Sequence, residues 1–253
     1  RLGYKGKIIL GGANASALNN NLLSEDRPDE RIEGVDIIIN NRNLGGGELS
    51  LLKLLEHLKA DINLNDVPGI SYRECGQIIT TRSLCIQEVQ KVINNIDGPA
   101  RELYTTINGI DIYSYYNNPF SGPVRFTPFA TLFTSRGCPH NCGYCLEGKD
   151  TLGFVKGWLR RPIEKIFSEI DRQKAEGVRT ILIQDENFGG YSKDHLDEAC
   201  KILNYIAQKK FKAIYFPNAF NVNSMIMKNF KLLKKINELL INGMLIRFAI
   251  PVE

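Results

Sequence analysis

Three cysteines, Cys138, Cys142 and Cys145, stand at C-x3-C-x2-C in the run Ser135-Arg136-Gly137-Cys138-Pro139-His140-Asn141-Cys142-Gly143-Tyr144-Cys145. The run follows directly on the apolar, β-rich stretch Phe129 to Thr134. Spacing this close confines three thiols to one short loop at the end of a strand. A tripod of thiolates can hold three corners of a cubane iron–sulfur cluster and leaves the fourth iron open to a small molecule. Gly137 and Gly143 permit the dihedrals of a loop wrapped round such a body, and Pro139 stiffens it. Structural zinc is the competing reading. It takes four ligands, commonly as two separated pairs, and no second pair follows here. His140 stands two residues from Cys138, awkwardly close for a tetrahedron, and Cys200 falls in a helical pattern. Oxidised or structural thiols are a third reading, although the sequence shows neither a signal peptide nor a disulfide framework of regularly spaced cysteines.

The rest of the composition excludes more than it assigns. A chain of 253 residues with 43% hydrophobic and 24% charged residues can build one large domain or two modest ones. A net charge of +4 without a run of Lys and Arg gives no nucleic-acid stripe. No apolar run reaches the ~20 residues of a membrane helix. Unpaired cysteines without an export signal suit a reducing cytoplasm. The chain opens at Arg1 rather than Met and stops at Glu253 directly after a strand-like run, so it reads as an excerpt.

The first part is mixed in pattern. Lys7 to Leu10 predicts a strand running into Gly11-Gly12, where paired glycines allow a tight turn or a close ligand. A plain strand-to-helix turn would look the same. Residues 28–34 suggest a short helix, and Val35 to Ile39 a second strand. Gly45-Gly46-Gly47-Glu48 then opens a helix with Leu51, Leu54, Leu55 and Leu58 expected on one face. No Lys-Ser/Thr follows the triple glycine, so it is not a Walker loop. Residues 68–73 and 77–81 read as a hairpin with Gly76 in its turn. Cys75 and Cys85 are isolated and read as structural. Pro99, Pro119, Pro123 and Pro128 mark residues 87–128 as a linker.

From Phe129 onward strands and helices alternate. Strands are expected at 129–134, 178–184, 213–216 and 245–250. Helices are expected after Pro162, after Ser192 as cap, and over 225–241. Such alternation implies parallel strands with right-handed crossovers and ligands at the carboxyl ends. Asp185, Glu186, Asn218 and Glu253 all fall at strand ends beside the cysteine loop. Each alone is as readily a cap or a solvated carboxylate.

The cysteine spacing, with aromatic Tyr144 just before Cys145, resembles the radical S-adenosylmethionine enzymes. Gly11-Gly12, Val35-Asp36, Gly45 to Glu48, Gly69 to Gly76 and Pro99 to Leu103, in that order, resemble the branch with a cobalamin-binding domain. The resemblance implies an α/β fold: the C-terminal part of a Rossmann-like cobalamin-binding domain over 1–86, the linker 87–128, and about four units of a partial (β/α) barrel over 129–253. It implies that Cys138, Cys142 and Cys145 hold a [4Fe–4S] cluster whose open iron chelates S-adenosylmethionine. Reductive cleavage would then give a 5′-deoxyadenosyl radical. Tyr144 would lie near the adenine, Asp185 or Glu186 near the ammonium, Asn218 at the pocket, and Glu253 near the ribose or methionine moiety. Gly11 and Gly12 would lie against cobalamin. The chain departs from the pattern in lacking Asp-x-His-x-x-Gly, which would give cobalt its lower ligand, and in having Phe216-Pro217-Asn218-Ala219 where Phe-Pro-Asn-Gly is frequent. The implied reaction is methyl transfer, with a cyclase or rearrangement as the alternative. An electron-transfer protein is the alternative of another class. A small-molecule or natural-product substrate and a reductase, flavodoxin or ferredoxin as electron donor are implied as partners.

Overall fold

The computed structural model describes residues 5–12, 15–16, 22–23, 34–40, 46–100, 126–138, 140, 142, 157–218 and 222–248, the side chains of 222–229 excepted. Packing divides the chain into two units, residues 1–93 with 137–159 and residues 94–136 with 160–253.

In the first unit β1 (Ile9–Leu10) pairs in parallel with β2 (Ile37–Ile39). Asp36 sets the start of that pairing, since its Oδ2 accepts the Ile8 amide at 2.8 Å. The sheet then reverses. β3 (Ile70–Glu74) runs antiparallel to β2, and β4 (Gln77–Thr80) antiparallel to β3. Glu74 lies opposite Gln77, so the expected hairpin turns on two residues. Both have positive φ, 48° at Cys75 and 79° at Gly76. That is the turn whose twist matches its flanking strands.

Helix α1 (Gly47–Ala60) is present, but rotated from the expected face. Ser50 and Leu54 are buried and Leu58 packs partly, whereas Leu51 is 39% and Leu55 50% exposed. The physical reason lies in its first turn. A Cβ on Gly46 would stand 2.3 Å from Leu84 Cδ1, and one on Gly47 3.7 Å from Ile39 Cγ2. The line Gly46, Gly47, Ser50, Leu54 is therefore the close-packed one, and small residues rather than leucines choose the face.

Residues expected to begin a linker form α2 (Ile86–Asn95). Its Val89 and Ile93 pack with Leu84, Leu49 and Leu159. Glu88 reaches back to accept the Cys85 amide at 2.9 Å, half of a capping box. The four prolines that mark the expected linker all lie beyond Asn95, so they leave this apolar spacing free to form a helix.

The second unit is more regular. Its strands are β5 (Phe129–Leu132), the two-residue β6 (Ser135–Arg136) and β7 (Leu159–Arg160), β8 (Thr180–Ile183), β9 (Ala213–Phe216) and β10 (Leu245–Phe248). The main sheet has the order β10-β9-β8-β5, and each neighbouring pair is parallel. Helices α3 (Ile163–Ala175), α4 (Lys193–Gln208) and α5 (Val222–Ile241) fill the crossovers. Ser192 caps α4, its hydroxyl accepting the His195 amide at 3.2 Å. Gly177, with φ 81°, ends α3. Leu196, Ala199, Leu203 and Ile206 of α4 are all buried against Ile166, Ile170, Ile181 and Ile214. Each such aliphatic side chain contributes roughly 1.5–3 kcal/mol when withdrawn from water. Two polar residues, Glu169 and Gln173, are buried on α3 beside those isoleucines.

No described helix is long and apolar enough to cross a membrane.

Candidate functional site

The parallel strands of the second unit end together, and polar side chains bind those ends to one another. Asp185, which follows β8, is buried. Its Oδ1 accepts the Thr134 amide at 2.7 Å, and its Oδ2 accepts the hydroxyls of Thr134 and of Ser135, the latter at 2.6 Å. Thr134 and Ser135 follow β5, so the carboxylate joins the ends of β5 and β8. Asn218, after β9, donates Nδ2 to the Gln184 carbonyl at 2.8 Å and so joins β9 to β8.

Two consecutive arginines complete the arrangement. Arg160 donates Nη1 to Thr134 Oγ1 at 2.6 Å and Nη2 to the Phe188 carbonyl at 2.8 Å. Its guanidinium stands 3.7 Å from Asp185 Oδ2 and 3.5 Å from Glu198 Oε2. Burial pushes the Arg160 guanidinium down from its ordinary range, with Asp185 and Glu198 opposing the shift. Arg161, the next residue, holds a different set of partners. It donates Nη1 to the Phe133 carbonyl at 2.6 Å and to Glu169 Oε2 at 2.7 Å, in a pair whose side chains are 4% and 1% exposed. Its backbone amide donates to the Thr134 carbonyl at 3.0 Å. Gln173 donates to the Thr131 carbonyl at 3.0 Å and to Glu169 Oε1.

Glu186, the neighbour of Asp185, is half-buried, and its Oε2 atom is withdrawn from solvent. Asp185 and Glu186, equivalent candidates in the sequence, thus differ in place: one ties strand ends, the other is partly open.

Of the cysteine loop, Cys138 and Cys142 are described. Both are half-buried and neither is in a disulfide. Gly137 takes φ 81° at the loop's entry, a conformation its missing Cβ allows. Reduced, half-buried thiols on coil, after a glycine of positive φ, are chemically suited to a soft metal cluster. Cys145, Tyr144 and Glu253 lie outside the described residues, as does Gly45. The other described cysteines are elsewhere. Cys75 and Cys85 are exposed, and Cys200 is buried in α4, where burial pushes its thiol up.

In the first unit Gly11 and Gly12 follow β1, and Gly12 has φ 96°. A Cβ there would meet nothing within 4 Å, so the turn opens onto space. Ser16 braces it, donating Oγ to the Gly12 carbonyl at 3.0 Å. A groove of about 720 Å³, lined by Lys7, Asp36, Asn63, Tyr72 and Arg73 among others, lies instead at the amino ends of β1 and β2. In parallel α/β sheets ligands gather at the carboxyl ends, so the glycine turn is the better candidate despite the groove's size.

Sequence reasoning did not single out Arg160 and Arg161. The signal available was Glu169 and Gln173 falling on the apolar face of that helix, where each needs a buried partner.

The fold defined here is an α/β unit with a glycine turn, together with parallel β/α units, one of which leads into the cysteine loop. That is the fold of cobalamin-binding radical S-adenosylmethionine enzymes. Among solved structures, the radical S-adenosylmethionine methyltransferase TsrM from Kitasatospora setae, with cobalamin and a [4Fe–4S] cluster bound, matches 92% of this chain and 40% of its own, with TM-score 0.60 and 14% identity. The cobalamin-dependent S-adenosylmethionine radical enzyme OxsB matches 95% of this chain and 36% of its own, with TM-score 0.50 and 17% identity. In sequence the chain is 29% identical over 179 residues to an uncharacterized methyltransferase of Pyrococcus horikoshii, covering 70% of this chain and 35% of that protein. It is 31% identical over 144 residues to the anaerobic magnesium-protoporphyrin IX monomethyl ester cyclase of Synechocystis, covering 56% and 25%. It is also 29% identical over 143 residues to the ribosomal protein uS12 methylthiotransferase RimO of Aeromonas hydrophila, covering 50% and 30%. The chain thus spans about a third or less of these relatives' length. No family model matches it. The resemblance read from the motifs holds in sequence and in fold.

Proposed function

We propose that this chain is the central part of a radical S-adenosylmethionine enzyme that also uses cobalamin, and that its reaction is methyl transfer to a small-molecule substrate. The observation that carries the reading is the C-x3-C-x2-C loop on the end of the first strand of a parallel sheet, with Cys138 and Cys142 half-buried and outside any disulfide. Cys138, Cys142 and Cys145 would hold a [4Fe–4S] cluster. When bound, the cluster and S-adenosylmethionine supply one-electron cleavage of the sulfonium to methionine and a 5′-deoxyadenosyl radical; the protein supplies orientation and electrostatics. Glu186 is the carboxylate we assign to the ammonium of S-adenosylmethionine, because Asp185 is engaged by Thr134 and Ser135. Tyr144 would line the adenine, Asn218 the pocket and Glu253 the ribose or methionine moiety. Gly11 and Gly12 would lie against cobalamin, whose lower side receives no Asp-x-His-x-x-Gly ligand from this sequence. An external one-electron donor of flavodoxin or ferredoxin type is required by the chemistry.

A second outcome, a cyclase or rearrangement, is favoured by one observation, the 31% identity to a protein named a cyclase. Anaerobic incubation of the reconstituted full chain with reductant and S-adenosylmethionine tests the common step. We expect 5′-deoxyadenosine. If the cluster is intact, no 5′-deoxyadenosine forms and the spin-resonance signal ignores the ligand, the radical reading is wrong and an electron-transfer protein replaces it.

A further inference from the structure

The cysteine loop leaves the second unit after Arg136 and returns at Arg160, and the two stems are fastened by more than a sheet end requires. Phe133, Thr134 and Ser135 on the outgoing stem are held through the Phe133 carbonyl, the Thr134 amide, carbonyl and hydroxyl, and the Ser135 hydroxyl. The holders are Arg160 and Arg161 on the returning stem and Asp185 after β8. The valences balance. Thr134 Oγ1 gives its one proton to Asp185 and accepts from Arg160, and Ser135 Oγ gives its proton to Asp185. Arg160 and Arg161 hold different groups of the stem, the Thr134 hydroxyl and the Phe133 carbonyl, so it is gripped at two points.

Such a network is a poor way to gain stability. A buried Arg–Asp pair costs desolvation, and well-packed apolar residues often serve as well or better. What it supplies is one geometry, because donors and acceptors in a dry site are satisfied in only one arrangement. The position so fixed is three residues ahead of Cys138.

We propose that Arg160, Asp185 and Thr134 are positioning residues for the cysteine tripod: they fix the stem of the loop so that the three thiolates are presented together, and cutting the network loosens the cluster without removing a ligand. The inference rests on the cluster reading above. It also gives Asp185 a task distinct from that of Glu186, though both are carboxylates at one strand end.

The test uses Thr134→Val, which keeps the shape of the side chain and removes the shared hydroxyl, and Asp185→Asn, which keeps the volume and places an amide where both oxygens accept. Wild type and variants are reconstituted anaerobically. Iron per chain, the chelator concentration that removes half the iron, the spin-resonance spectrum of the reduced cluster and the melting temperature of the iron-free chain are measured. Partners outside the ligand set commonly change metal affinity by ~10–100-fold. We expect both variants to release iron at roughly tenfold lower chelator or below, with a broadened spectrum. The iron-free Thr134→Val chain should stay folded and melt only modestly below wild type, because Arg160 and Asp185 each lose one of several partners. If Asp185→Asn fails to fold, Thr134→Val decides alone. Variants that match wild type in chelator resistance and spectrum overturn the positioning role and leave the cluster reading standing. A wild-type chain that takes up no iron overturns both.

Discussion

Thr134 gives both its backbone N–H and its hydroxyl to the carboxylate of Asp185, so one acidic side chain fixes where β5 ends and the cysteine loop begins. The acid is therefore part of the frame that joins the strand ends.

Iron content checks the ligand set. Cubane stoichiometry predicts ~4 irons and as many sulfides per chain. Cys138→Ala, Cys142→Ala and Cys145→Ala should each abolish full loading, while Cys75→Ala, Cys85→Ala and Cys200→Ala should load as wild type. A fully loaded Cys142→Ala chain would sink the assignment.

Binding of S-adenosylmethionine checks Glu186. A charge-assisted hydrogen bond to an ammonium contributes about 1.5–3 kcal/mol, which is roughly a ten- to hundredfold change in affinity. Glu186→Gln should show that loss by equilibrium dialysis, with iron content unchanged. Glu253→Gln should lose less. Unchanged binding in Glu186→Gln would move the ammonium contact elsewhere.

Cobalamin is best tested at Gly11. Gly12 has φ 96°, so any side chain there strains the turn whether or not a ligand is near. Gly11 has no such demand, and a Cβ on it would meet only Ile39 Cβ at 3.9 Å. Gly11→Val should fold as wild type and fail to retain cobalamin during purification of the full chain. Equal cobalamin in both would make the turn structural only.

Glu88 predicts a pH signature in the first unit. Arg82 donates twice to its carboxylate, at 2.9 and 2.8 Å, and with the Cys85 amide holds its pKa down to about 2. A depressed carboxylate stabilises the fold above the ordinary carboxylate range and loses that contribution as pH falls toward the depressed value. Arg82→Ala should return the Glu88 titration, followed by NMR, toward the ordinary range. The pair is exposed, so the stability lost at neutral pH should be below about 1 kcal/mol. A Glu88 titration unmoved by the substitution would show that the Cys85 amide alone sets it.

Arg161 should behave differently because its pair is buried. Arg161→Met leaves Glu169 inside the unit without its cation, which costs about 3–5 kcal/mol in a denaturant melt. Adding Glu169→Leu should recover most of it. A double variant no more stable than the single one would show that the arginine acts through the Phe133 and Ile96 carbonyls.

The second unit was legible because its periodicities are unambiguous. The helix expected after Ser192 is α4, which buries Leu196, Ala199, Leu203 and Ile206 at helical spacing, and Ala213 to Phe216 is the expected strand. The hairpin at Cys75-Gly76 was legible from its glycine. Less so was α1, where the packed line runs through Gly46, Gly47 and Ser50, residues that no hydrophobicity count favours. The site divided in the same way. Cysteine spacing is a local signal and stands in the sequence. The placement of Asp185 depends on Thr134, Ser135 and Arg160, which come near it only through the parallel register of β5 on β8. No window on the sequence contains all of them.

Among the described residues, the bonds at the loop's base run through Thr134, Arg160, Arg161 and Asp185. Amide, hydroxyl, guanidinium and carboxylate groups make them. If the loop holds the proposed cluster, loss of iron would leave those bonds at its base intact. Repair is then a local refilling, and repeated cycles of chelation and reconstitution should return the same iron content each time.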